Sequence, residues 1–85
     1  MISTKTGDLI YKSRRPKRLT IQDVADNTGV SKSMISLIET GKQLPKNPVF
    51  LKKVCLFLGI NEDEMKNAVI DDFTNKLFEE WGDAD

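Results

Sequence analysis

An all-α fold is what this sequence predicts, and three observations predict it. Apolar residues recur at spacings of three and four, as along Leu51, Val54, Cys55 and Leu58. Helix-starting residues such as Thr20, Ser31 and Asn47 precede the runs, and Pro16, Gly29, Gly41 and Gly59 close them. No clean alternation of apolar and polar residues lasts more than a few positions, so strand signals are absent. Within this pattern, Thr20 to Gly41, TIQDVADNTGVSKSMISLIETG, reads as a helix, a turn at Gly29 and a second helix with a polar outer face. That spacing describes a helix-turn-helix, which places one helix in a DNA major groove.

Each element follows from local chemistry. Met1 to Thr6 reads as a short polar arm. Gly7 to Arg15 forms a first helix that buries Leu9, Ile10 and part of Tyr11. Pro16 stops it, because proline disfavours helix in the residue before it and has no amide to donate. Leu19 then enters the core. Thr20 caps the second helix, and Asp23 three residues on completes a capping-box-like start. This helix runs to about Thr28. Ser31 caps a third helix, which ends near Glu39 or Thr40, where Gly41 supplies a positive φ. A loop with Lys42, Gln43, Pro45 and Lys46 follows. Asn47 caps a fourth helix with Pro48 in its first turn, and Gly59 closes it. Ile60 enters the core. Asn61 to Glu64 opens a fifth segment with a cap and acids that suit the helix dipole. From Glu62 to Trp81 it is either one long helix or two with a bend near 67–72.

Eighty-five residues allow one small domain, whose core is marginal without dense packing or a partner. Cys55 is the single cysteine and there is no histidine. An intramolecular disulfide is therefore impossible, a zinc site is not expected, and the commonest general base is missing. No metal, cofactor or enzymatic activity is expected. No apolar run approaches membrane length and no signal peptide is expected, so the expected location is the cytoplasm. The formal net charge of zero hides an asymmetry. Residues 1–53 carry eleven Lys or Arg against four acids, a balance of +7, and residues 54–85 carry −7. A basic front suits phosphate, and an acidic rear suits a face turned away from DNA.

On the third helix, Ile35 and Ile38 share an inner side with Val24 and Val30 of the preceding segment. Ala25 is small where the second and third helices cross. Ser33, Ser36, Leu37 and Thr40 lie on the outer side, with Lys32 near its exposed start. This face is small and polar apart from Leu37, so it can approach base edges without bulk.

These residues resemble the Cro/cI-type (XRE) helix-turn-helix family of phage and bacterial regulators. The resemblance rests on Gly7, Ile10, Arg14, Leu19-Thr20, Val24-Ala25, Gly29-Val30-Ser31, Ile35-Ser36, Glu39, Gly41 and Pro45, then Val54, Leu58-Gly59-Ile60 and Met65. It covers roughly residues 5–66. The resemblance implies a five-helix, lambda-repressor-like domain, taken as residues 1–66, and leaves residues 67–85 as an acidic, amphipathic C-terminal helical extension. It implies base contacts from Lys32, Ser33, Ser36 and Leu37. It implies phosphate contacts from Thr20, Gln22, Thr40, Lys42, Gln43 and Lys46, and a brace between Arg14 and Glu39. Three departures stand out. Ile21 replaces a common glutamine, and Leu37 a common long polar residue. The loop before the fourth helix is slightly longer, with Asn47-Pro48 inserted. Leu37 either packs on a thymine methyl or is simply half-exposed.

Beyond the domain, Val69, Ile70, Phe73, Leu77 and Trp81 follow one another at helical spacing, with Phe78 beside them. Asp71, Asp72, Asn75 and Glu79 occupy much of the other face. So much apolar surface is too great for a free tail. It folds back on the core, joins two copies of the chain, or binds a different protein, and aromatic anchors favour an interface. The expected function is a sequence-specific DNA-binding transcription regulator, a repressor acting as a homodimer on a pseudo-palindromic operator in double-stranded DNA. The alternative is an antitoxin-like or antirepressor-like module working through its C-terminal helix.

Overall fold

The structure, a computed structural model, describes the backbone of residues 4–83 and the side chains as far as Glu79. The first three residues of the expected arm lie outside the described residues, as do residues 84–85 and the side chain of Trp81. Five helices follow in order: α1 (Lys5–Arg14), α2 (Ile21–Thr28), α3 (Lys32–Glu39), α4 (Pro48–Leu58) and α5 (Glu62–Asp83), with a 3₁₀ turn at Arg15–Lys17. No strand occurs among the described residues.

The caps explain the boundaries. The Thr20 hydroxyl accepts from the Asp23 amide at 3.1 Å, and the Asp23 carboxylate accepts from the Thr20 amide at 2.9 Å, a complete capping box for α2. Ser31 caps α3 by accepting from the Met34 amide. Asn47 accepts from the Val49 amide at 2.9 Å to start α4. Gly29 and Gly59 end α2 and α4 at φ of 74° and 73°. After α3, the Gly41 amide donates to the Ile38 carbonyl and the Lys42 amide to the Leu37 carbonyl, the paired bonds of a Schellman turn. Lys17 closes α4 from outside, its ammonium donating to the Leu58 carbonyl at 2.7 Å.

Ile10, Val24, Ile35, Ile38, Val54, Leu58 and Met65 form the centre of the core, each at most 2% exposed. α1 packs on α3 and α5, and α2 on α3 and α4. Leu9 and Leu19 cover the core only in part, whereas Ile60 is buried. Leu44 and Pro45, in the loop before α4, are buried as well. Cys55 is buried, which pushes its thiol pKa up, with a smaller contribution from Glu62.

Two findings correct the sequence-based expectation. The first helix begins at Lys5 with Thr4 as its cap, so the polar arm is shorter and Gly7 lies inside the helix. Glycine fits there because a Cβ would sit 2.5 Å from the Ile38 carbonyl oxygen and 2.7 Å from that of Glu39. α1 thus meets the end of α3 at backbone distance. The second correction concerns Asp72, expected on the polar face of the last helix. It is 6% exposed, and its two carboxylate oxygens accept from the Lys5 and Thr6 amides, each at 2.8 Å. Thr4 supplies its hydroxyl to the Gly7 amide and its carbonyl to the Asp8 amide. All four amides of the first turn of α1 are satisfied, two of them by α5.

α5 is a single unbroken helix of 22 residues, which resolves the choice between one helix and two. The boundary drawn at residue 66 falls inside it. Ala68, Val69 and Asp72 still pack against the preceding elements, and Lys5 adds an exposed ion pair to Asp71 at 2.9 Å. That contact, chiefly its hydrogen bond, holds the Lys5 pKa up. Among the described side chains of the apolar stripe, only Val69 packs on the core. Ile70, Phe73, Leu77 and Phe78 remain 44–61% exposed.

Candidate nucleic-acid interface

The α2–turn–α3 unit is held from beneath by one ion pair. Arg14 Nε donates to Glu39 Oε2 at 2.7 Å and Arg14 Nη2 to Glu39 Oε1 at 2.9 Å, a two-pronged contact. The two side chains are 11% and 6% exposed. Nη1 donates to the Leu19 carbonyl at 3.0 Å, so one guanidinium joins α1, the segment before α2, and the end of α3. The hydrogen bond to Glu39 pushes the Arg14 pKa above its already high value. Tyr11 lies under both Arg14 and Arg15, 5.3 Å from each guanidinium carbon to the ring centre.

With Ile35, Ile38 and Glu39 turned inward, the opposite side of α3 is what solvent meets. Lys32, Ser33 and Thr40 are exposed there, and Ser36 and Leu37 half-buried. The exposed face therefore carries small hydroxyls, one aliphatic side chain and a lysine at the helix start. Thr20, Gln22, Lys42 and Lys46 are exposed around it, and Gln43 is half-buried. The Schellman turn fixes the backbone that presents Lys42 and Gln43, because the Gln43 amide also donates to the Leu37 carbonyl at 3.2 Å.

Several of these groups have internal partners. The Thr40 hydroxyl donates to the Ser36 carbonyl at 2.9 Å and the Leu37 carbonyl at 3.2 Å. A phosphate oxygen needs a donor, so Thr40 must leave these carbonyls to serve one. The Gln22 amide nitrogen donates to Asp26 at 2.8 Å, leaving its second N–H for another acceptor. In the basic run Lys12–Arg18, Arg14 and Lys17 are committed to the fold, and Lys12 pairs with Asp8 at 2.9 Å. That run therefore offers solvent mainly Arg15 and Arg18, the latter in the left-handed conformation at φ 58°.

Sequence reasoning missed Asp72, Leu44 and the role of Gly7. An acid within a helix carries no local sign that a distant helix start needs its oxygens. Leu44 offered a weak signal, a lone large apolar residue inside a polar loop.

No group of three or more potential ligands that could hold a metal ion occurs among the described residues, and no helix there is long and apolar enough to cross a membrane. No curated protein and no solved structure matches the chain. A family model described as a helix-turn-helix domain matches residues 7–69, from the buried glycine of α1 to the last core residue of the α5 stripe. That match covers all the elements that build and brace the α2–α3 unit, and it points to a DNA-binding regulator. The chain belongs to this helix-turn-helix domain family.

Proposed function

We propose that this protein is a sequence-specific transcription repressor that binds a pseudo-palindromic operator as a homodimer. The observation that carries the reading is the exposed side of α3, where Ser33 and Ser36 stand beside Lys32, with Lys42 and Lys46 exposed on the loop that follows. Small hydroxyls let the helix backbone approach base edges, and Leu37 suits a thymine methyl. Lysines around the rim suit phosphates, which position the helix without reading sequence. The first turn of α2 adds the Ile21 and Gln22 amides, which the Thr20–Asp23 capping box does not use, and helix-start amides suit phosphate. Repression needs no chemistry, since an occupied operator excludes polymerase. The exposed Phe73 and Leu77 support the second copy, because two reading helices about one DNA turn apart match a two-fold site.

Gel shifts on genomic fragments at several salt concentrations test the reading. Lys42→Ala or Lys46→Ala should weaken binding to every sequence and lower the salt slope by about one unit for each phosphate left without its lysine. Ser33→Ala or Ser36→Ala should instead change which site is preferred, by roughly 1–3 kcal/mol for a good base contact. Four variants that all bind like wild type would exclude this surface. The antitoxin-like or antirepressor-like reading is favoured by the open apolar side of α5 alone. It predicts no salt-dependent shift on any fragment.

A further inference from the structure

The second half of α5 buries none of its described side chains. From Phe73 to Glu79 every described side chain is exposed, while Ala68, Val69 and Asp72 of the first half are held against the body. Beside that first half, a groove of about 470 Å³ runs between α4 and α5. Leu51, Met65, Val69 and Ile70 line it, and Lys52 and Lys66 rim it. One molecule thus carries an apolar groove with a basic rim and a helix end whose described apolar side chains are exposed and whose sequence is rich in acid, with Glu79, Glu80 and Asp83 against Lys76.

We propose that the occupant of the groove is the second half of α5 from another copy, with the two α5 helices antiparallel about a two-fold axis at Phe73. The proposal rests on the homodimer reading above and adds the face, direction and register of the pairing. The register follows from the order of residues along the helix. A two-fold axis at Phe73 sets each residue opposite the one equally far on the other side. Val69 lies four residues before Phe73 and Leu77 four after, so they face each other in the groove. Ile70 and Lys76 lie three residues to either side, and the Lys76 stem covers Ile70. Lys66 lies seven before and Glu80 seven after, close to two turns in each direction and on the same side of the helix as Phe73. The axis therefore brings Lys66 of each copy opposite Glu80 of the other, two ion pairs from one register. Lys52, across the groove on α4, adds a second cation near each Glu80. Glu62, the acid that also lines the groove, lies eleven residues before Phe73, opposite position 84 rather than Glu80. A parallel pairing would set Lys66 against Lys66 and Glu80 against Glu80, so charge selects the antiparallel direction.

Charge reversal tests the register, with sedimentation equilibrium as the readout and circular dichroism to verify the fold. Lys66→Glu and Glu80→Lys should each weaken self-association by roughly tenfold or more, because each sets two pairs of like charges face to face. Combining both changes in one chain should restore it to near the wild-type constant, and mixing the two single variants should yield a heterodimer. In a parallel pair either single reversal only exchanges one like-charge pair for another and leaves association unchanged. A wild-type dimer indifferent to both reversals, or weakened by them without recovery in the double variant, overturns this register while leaving the homodimer reading intact. Wild-type protein that sediments as a monomer overturns both.

Discussion

Arg14 and Thr6 show the two ways a single polar side chain acts in this core. The Arg14 guanidinium satisfies Glu39 at two atoms and the Leu19 carbonyl at a third, where little water reaches. Replacing it with methionine keeps much of the apolar stem but leaves the Glu39 carboxylate without its counter-charge. We expect Arg14→Met to cost about 3 kcal/mol in urea unfolding, since removing one member of a buried pair strands the other. Adding Glu39→Gln to that variant should recover part of the loss, and an equal or larger loss would show that packing rather than charge is at stake. Thr6 is the opposite case. Its side chain is fully buried and its hydroxyl has no hydrogen-bond partner, although its backbone amide is held by Asp72. Thr6→Val removes that orphan oxygen with little change of shape. The expected result is a melting temperature unchanged or raised, with a gain of up to ~1 kcal/mol. A clear drop would contradict the orphaned state of the hydroxyl.

At the scale of elements, the turn between α2 and α3 sets the geometry on which any approach to DNA depends. Gly29 holds φ at 74°, and a Cβ there would meet no atom within 4 Å. Backbone strain alone therefore decides what this position tolerates. Gly29→Asn should be mild, because asparagine visits the left-handed region, whereas Gly29→Val should cost on the order of 1–3 kcal/mol. Thermal unfolding of the two variants checks the difference, and equal melting temperatures would mean the turn does not require that conformation. Ala25 is limited by space instead. It is 7% exposed, and Ala25→Leu is expected to lose roughly 1–3 kcal/mol by overpacking.

For the whole molecule, α5 divides into a half that belongs to the core and a half that does not. The α1 cap at Asp72 marks the change, since the next described side chains are all exposed. Phe73→Glu combined with Leu77→Glu should therefore leave helical content and the core intact. The expected outcome in solution is a folded monomer with a large loss of operator affinity, because the linked second half-site is gone. Circular dichroism and sedimentation read the two effects separately, and loss of fold would place these side chains in the core after all. A dimer also makes the wild-type melting temperature rise with protein concentration.

Much of this architecture was legible in the order of residues, where the governing interactions are local. The Thr20–Asp23 box, the Ser31 and Asn47 caps and the glycine stops at Gly29 and Gly59 act over a few positions, so α2, α3 and α4 start and end as their sequence implies. The inward and outward sides of α3 follow from helical periodicity, which is why Ile35 and Ile38 are buried and Ser33 is exposed. The start of α1, the place of Gly7 and the burial of Asp72 were not legible. They arise where α1 meets α3 and α5, between segments up to 67 positions apart, and no short stretch of sequence records such a meeting. The same holds for the exposed groups of the candidate interface. The resemblance assigned Thr40 to a phosphate, whereas its hydroxyl is taken by carbonyls of α3 itself, and only the folded chain commits the Lys17 ammonium to the end of α4. Sequence determined the helices and their faces because a cap or a stripe is a short-range property. Tertiary structure decided which charges remain free, because a hydrogen bond made across the fold removes a donor from solvent.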